Sequence, residues 1–374
     1  MQLLIGADLV PTKTNIELFK TADAQALVDK YLLSILKDAD YRIFNLEVPL
    51  ADIATPIEKN GPALIAPTAT IAGYKALGVD LLTIANNHIM DQGAQGFAST
   101  IKTVEENAIA YVGGGSTLED AEKPYIFEID GKKIGVYACA EHEFSIAGEN
   151  TPGANPFDPL ESLDHIVALK ARCDFCVVLH HGGKEHYRYP SPNLQKVCRK
   201  MVEKGADLVI CQHSHCIGCE EKYRGSTIVY GQGNFLFDLS KSEFWQTSLM
   251  VQIGDDFEIS YIPLVKQCNG VRLADEAQSQ EILEAFRDRS EEIRQDGFVE
   301  TQYAKFAQEM LAGYLFTLSG MRRNFLYRAI NKLLGYRLDV WHLRKLRNKN
   351  KTLAIRNIVE CEAHKELFLK GLEK

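Results

Sequence analysis

In the stretch VICQHSHCIG, residues 209–218, an apolar run closes on His213 and His215, in a chain with ten histidines among 374 residues. On a strand, histidines one residue apart share a face, which suits either a wet sheet edge or a pair of ligands. The same habit recurs along the chain. QLLIGAD ends in Asp8, YRIFNLE in Asn45 and Glu47, and VDLLTIANN in Asn86 and Asn87, followed by His88. DFCVVLHH ends in His180 and His181, and STIVYGQGN in Asn234. Carboxylate, amide oxygen and imidazole without thiolate suit divalent manganese, iron or zinc. Two such ions sharing a carboxylate generate a hydroxide nucleophile and clamp the oxygens of a transferring phosphoryl group. Three histidines alone would hold a single zinc. Either arrangement predicts a hydrolase.

Polar residues at the ends of separate apolar runs converge when those runs are parallel strands of one sheet, whose carboxyl ends line a common crevice. Up to about residue 265 the chain fits this. Short apolar runs alternate with helix-period stretches at 24–37, 68–77, 94–107, 160–171 and 193–204, which predicts an α/β fold. SLMVQI and FEISYIPLV read as an antiparallel hairpin closing the unit. Beyond Asn269 the apolar spacing turns helical throughout, so the expected organisation is an α/β domain over 1–268 and a helical domain over 269–374.

Bulk properties narrow the setting. The charged fraction of 25% and hydrophobic fraction of 46% are ordinary for a globular chain, and no apolar run is long enough to span a bilayer. The opening MQLLIGADLV meets Asp8 without a basic leader, and nine scattered cysteines suggest no disulfide framework, so a reducing, cytoplasmic compartment is expected. Net charge is −8, yet Arg322 to Arg356 holds eleven basic residues against one acid, Asp339. Such asymmetry implies an anionic partner or a solvated helix face. Phe325, Leu326, Ile330, Leu333 and Leu334 share one helical face there, with Arg323, Arg328 and Lys332 outside it. This stripe is expected to pack on the protein core while its charges recruit an anionic small molecule or polymer; association with an anionic membrane surface is the alternative. No nucleic-acid-binding module accompanies the charge, so nucleic acid is not expected.

The pieces GADL, FNLEVPL, ANNHIMDQG, HGGKEHYRYPSP and HSHCIGCEEKYRGSTIVYGQGNFLFD, in this order from Gly6 to Asp238, resemble the CapA-type capsule (poly-γ-glutamate) biosynthesis proteins. That family is a branch of the calcineurin-like metallophosphatase superfamily. The resemblance implies a four-layer α/β/β/α sandwich with two divalent metal ions between the sheets. It places Asp8 and His215 on the first metal, Glu47 as the bridge, and Asn87, His181 and His213 on the second. His88 falls at the position of the general acid, with Asp91 orienting its ring, and Glu185 matches a family acid near the site. Two positions depart from the wider superfamily: Val10 stands where a histidine ligand is usual, and Glu47 where an aspartate is. The first metal is therefore expected to be the more easily lost.

Further candidates for substrate contact are Arg188, on the loop after His181, Asn234, and His142 with its neighbours Glu141 and Glu143. CDFC and CIGC are read as core cysteines, because the gap between the pairs is too long for a zinc ribbon. VGGGST lacks the lysine of a phosphate-binding P-loop. Three functions remain open. They are a phosphoester hydrolase, a γ-glutamyl amide hydrolase or transferase using the same metals, and a non-catalytic polyanion-binding component of a capsule assembly machine.

Overall fold

A computed structural model describes residues 1–237, 241–319, 325–335 and 337–372. The expected alternation folds into two mixed sheets. In the first, Leu3–Val10, Tyr41–Asn45, Leu81–Thr83 and Ala110–Val112 run parallel in that order. The hairpin of Thr247–Ile253 and Ile259–Gln267 continues this sheet beyond Leu3–Val10, and Gly270–Leu273 forms its edge. In the second, Lys132–Ala140, Phe175–His181, Leu208–Gln212 and Ser226–Val229 are parallel between the antiparallel edges Tyr125–Ile129 and Glu220–Tyr223. Edges such as EEKY and GVRL lie outside the expected strands, because a paired neighbour rather than an apolar run makes them strands.

Period-two alternation sorts the second sheet between two cores. Ile134, Val136, Val177, Leu179, Leu208 and Ile210 join the core shared with the first sheet. Tyr137, Cys139, Cys176, Val178, Val209 and Cys211 face Ile166 and Leu169 of helix Ser162–Lys170 and Cys198 and Met201 of helix Pro192–Glu203. The first sheet packs with Leu32 and Leu36 of helix Lys30–Asp38 and with Phe97 and Val104 of helix Gly93–Glu106. The result is the four-layer α/β/β/α sandwich, with the cysteines of CDFC and CIGC buried except for the half-buried Cys173.

The chain divides into units 1–300 and 301–374. The position 268/269 therefore falls inside the first unit. Helix Glu276–Glu292 belongs to that unit, setting Phe286 edge-on to Tyr261 with ring centroids 4.9 Å apart. The second unit is helical, with Phe325–Leu333, Arg337–Leu346, Lys349–Glu360 and Glu362–Leu372. Within this unit Leu326 is 65% and Leu333 86% exposed. Arg322 and Arg323 lie outside the described residues. No helix among the described residues is long and apolar enough to cross a membrane.

Candidate metal centre

The polar strand ends meet between the two sheets. Asp8 sits just past a register shift that follows Ile5. Gly6, within that shift, has no room for a side chain, since a Cβ would lie 2.2 Å from the Phe44 ring. The carbonyls of Gly6 and Ile5 accept from Gln212 (3.3 Å) and Gln232 (2.9 Å), which ties the second sheet to the strand that carries Asp8. His180 and His181 face opposite ways. His180 lies beside Cys139 and Phe157 on the helix side, while His181 points between the sheets.

Two groups of possible ligand atoms result, each within 4.8 Å: Asp8, Glu47 and His215, and Glu47, His181 and His213. Glu47 belongs to both. Its Oε1 lies 3.4 Å from His181 Nε2, yet neither of its buried oxygens has a hydrogen-bond partner. Asn87 Oδ1 stands 3.1 Å from His181 Nε2, as does His213 Nδ1, so three potential donors crowd one point. Asp8 Oδ2 is 3.3 Å from His215 Nδ1, and its Oδ1 accepts from Asn45 Nδ2 at 2.7 Å. Asn45 is braced by Thr83 and Asn86 through its Oδ1. Val10 is buried and contributes no ligand atom, so the first group has the poorer donor set.

A divalent cation would take the place of the protons that this metal-free centre holds on Glu47 and His215. Burial, then the Asp8 carboxylate, push the Glu47 carboxyl up to about 8. Burial, against Asp8, brings His181 down to about 4, and His213 is likewise lowered, so both rings are neutral at pH 7 with a lone pair to give. Burial opposes charge on His215, but Glu47 and Asp8 outweigh it and raise the ring to about 9. A buried carboxylate with unpartnered oxygens is costly; divalent ions between the two groups would relieve it. The donor set fits two metals: Asp8, Glu47 and His215 would hold one, and Glu47, Asn87, His181 and His213 the other.

Around this centre the candidates divide. His88 Nδ1 lies 2.6 Å from Asp91 Oδ2, and the fully buried Asp91 also accepts from Leu64 N (2.6 Å) and from Lys59. Glu185 is an exposed residue on the loop after His181; desolvation works against its charge, but His213 and His215 hold its carboxyl below the usual range. Asn234 Oδ1 meets His215 Nδ1 at 2.8 Å, so it braces a candidate ligand, while its buried Nδ2 has no partner. His142 is exposed, and Glu143 is the member of its loop that reaches the site, accepting from Asn87 Nδ2 at 3.3 Å. Arg188 turns to the Ile217 carbonyl and stacks on Phe244. Lys59 was not expected. Its one sequence signal is the stretch 46–67, a connection long enough without regular structure to suggest a working loop.

Fold and residues together define an α/β/β/α protein with a metal-capable centre between its sheets. The family of the bacterial capsule synthesis protein PGA_cap matches residues 3–239, and the chain belongs to it. It is 30% identical over 220 residues to the capsule biosynthesis protein CapA of Bacillus anthracis, covering 56% of this chain and 54% of that one. Over a stretch of the same length it is 30% identical to the PGA biosynthesis protein CapA of Bacillus subtilis, covering 56% of each. The match thus spans about half the length of these curated relatives. Among solved structures, a phosphatase from Mycoplasma pneumoniae (TM-score 0.44, 14% identity, 71% of this chain and 93% of that one) is similar. So is the NAD nucleotidase of Haemophilus influenzae (TM-score 0.43, 13% identity, 83% and 67%).

Proposed function

We propose that this protein is a dinuclear metal-dependent hydrolase of the phosphoesterase type, working in the synthesis of a capsule or envelope polymer. The observation that carries the reading is Glu47, a buried carboxylate with two unpartnered oxygens shared by both ligand groups. When bound, the metals supply an activated water and a clamp for the charge of the scissile group. The chain's own residues do the rest. His88, its Nδ1 held by Asp91, is positioned to give a proton to the leaving group, and Lys59 and Leu64 keep Asp91 from turning away. Cleavage of a γ-glutamyl amide by the same centre is the second reading, favoured by the similarity to a PGA biosynthesis protein. Free cysteines throughout fit a reducing compartment, and the basic unit 301–374 supplies charge for an anionic polymer or membrane surface.

Purified protein is expected to carry two manganese, iron or zinc ions per chain by elemental analysis, the ion at Asp8, Glu47 and His215 lost first on dialysis. Assay of phosphomonoesters, phosphodiesters and γ-glutamyl peptides then separates the two chemistries. His88→Asn should lower turnover about 10²–10⁴-fold with metal content unchanged. A chain that takes up no metal even after supplementation would refute the reading.

A further inference from the structure

The segment that follows the histidine pair also anchors two arginines from distant parts of the first unit. Arg188 donates from Nη1 to the Ile217 carbonyl at 3.0 Å, and Arg289, on helix Glu276–Glu292, donates from Nε to the Gly218 carbonyl at 2.7 Å. Consecutive carbonyls, two and three residues beyond His215, thus hold both guanidiniums. Both line a cavity of about 520 Å³ with Ile217, Thr247 and Ile282. Among the described residues the two acids on its lining, Glu243 and Glu281, are exposed, and Glu243 lies 4.0 Å from Arg188 Nη2, too far for a hydrogen bond. Arg289 has no carboxylate within ion-pair distance among the described residues.

Two half-buried like charges beside one cavity disfavour each other; burial, with Arg188 as the neighbouring like charge, works against the Arg289 cation. Each guanidinium offers five N–H donors, and the hydrogen bonds to Ile217 and Gly218 engage one from each. A planar fork with unused donors is matched by a carboxylate or phosphoryl group. The cavity is tied to the metal-capable centre by the chain: its lining residue Ile217 follows His215 by two residues, and its lining residues Glu243 and Gln246 flank Trp245. The Trp245 ring lies tilted against His215 with centroids 4.7 Å apart, and it donates from Nε1 to His186 Nε2 at 2.8 Å.

We propose that Arg188 and Arg289 form an anion-binding subsite for a carboxylate or phosphoryl group of an extended, multiply charged substrate whose reacting group lies at the metal-capable centre. The inference rests on the reading of that centre as a substrate site, but the subsite itself needs no metal. Lysine in place of Arg289 would keep charge without the fork.

Full-length protein stripped with EDTA is titrated calorimetrically with a γ-linked glutamate pentamer and, separately, with inorganic triphosphate. Wild type is expected to bind at least one, more weakly as salt rises, and the stronger binder identifies carboxylate or phosphate as the preferred group. Arg289→Met and Arg188→Gln should each weaken that binding about tenfold or more, with Arg289→Lys intermediate. Thermal melts confirm folding, and having the two variants on different elements guards against loss of one. Unchanged affinity in both folded variants, or no binding of either anion by wild type, overturns the subsite. Retained anion binding in a chain that shows no metal uptake or turnover refutes the hydrolase reading and leaves the subsite standing.

Discussion

Glu47 shows what a binding centre costs the empty protein. Its carboxyl, pushed up to about 8 from 4.5 by burial and Asp8, keeps its proton in the metal-free native state where the unfolded chain has released it. The native state binds the extra proton across that window, so stability is full below pH 4.5 and is lost as pH rises through 8. At about 1.36 kcal/mol for each pH unit between those two values, and allowing for coupling to His215 and Asp8, the loss is on the order of 2–4 kcal/mol. Glu47→Gln is neutral at every pH. In EDTA it should match wild type near pH 5 and exceed it near pH 8 in urea melts, while binding metal far more weakly. Equal stability at pH 8 would show that the carboxyl is not destabilised by its surroundings. His180 gives the opposite slope: burial, with His181, brings it down to about 4, so its contribution is present above pH 6.5 and disappears as pH falls through 4. The six candidate ligands stand among the polar residues that follow apolar runs, where strand ends must converge, but it is the family resemblance that singles them out from neighbours such as Asn45, Asn86 and His180. Lys59 and Arg289 were not legible in the sequence. One sits in a loop without periodicity, and the other looks like any solvent-facing arginine on an amphipathic helix.

Among the elements, the segment from His213 to Gly218 carries the most. His213 and His215 both have positive φ, 103° and 52°, a conformation that ordinary side chains avoid. Such strain persists where the surroundings over-determine it, and here Gly218 supplies the constraint. A Cβ at Gly218 would meet the Tyr230 carbonyl oxygen at 1.9 Å, so the segment lies flat against the backbone of 229–231. Gly218→Ala is therefore expected to lift the whole segment, costing about 2–4 kcal/mol by overpacking and weakening metal binding at the same time. Urea denaturation with a parallel metal titration measures both; a variant that loses neither would mean the segment is held from elsewhere. Sequence alone marked the histidine pair but not its backbone, because positive φ at histidine has no signature in residue type. Strand pairing explains the other omissions. The runs that became central strands announce themselves by their apolar content, whereas Gly270–Leu273 is a strand only because Ile259–Gln267 offers it a ladder.

At the scale of the molecule, alternation of runs and helices was enough to imply the layered α/β fold. The unit boundary was hidden, because helix Glu276–Glu292 has helical spacing like its successors yet packs on the sheet through Phe286. Most exposed large apolar side chains among the described residues lie beyond residue 300, including Ile330, Leu333, Leu334 and Trp341. Exposed apolar residues flanked by Arg328, Lys332, Arg344 and Lys345 fit an anionic interface, to which each basic residue contributes about 1 kcal/mol. Trp341, with the Lys345 ammonium 3.9 Å from its ring centre, is amphipathic in the way interfacial tryptophans are. Full-length protein is therefore expected to sediment with vesicles containing anionic lipid at physiological salt, and to stay in the supernatant with zwitterionic vesicles. Replacing both Ile330 and Leu333 by aspartate should abolish sedimentation while leaving metal content unchanged, since no candidate ligand lies beyond His215. If the double variant still pellets, charge alone recruits the surface; if wild type never pellets and instead elutes as a dimer, the exposed stripe is covered by a second copy.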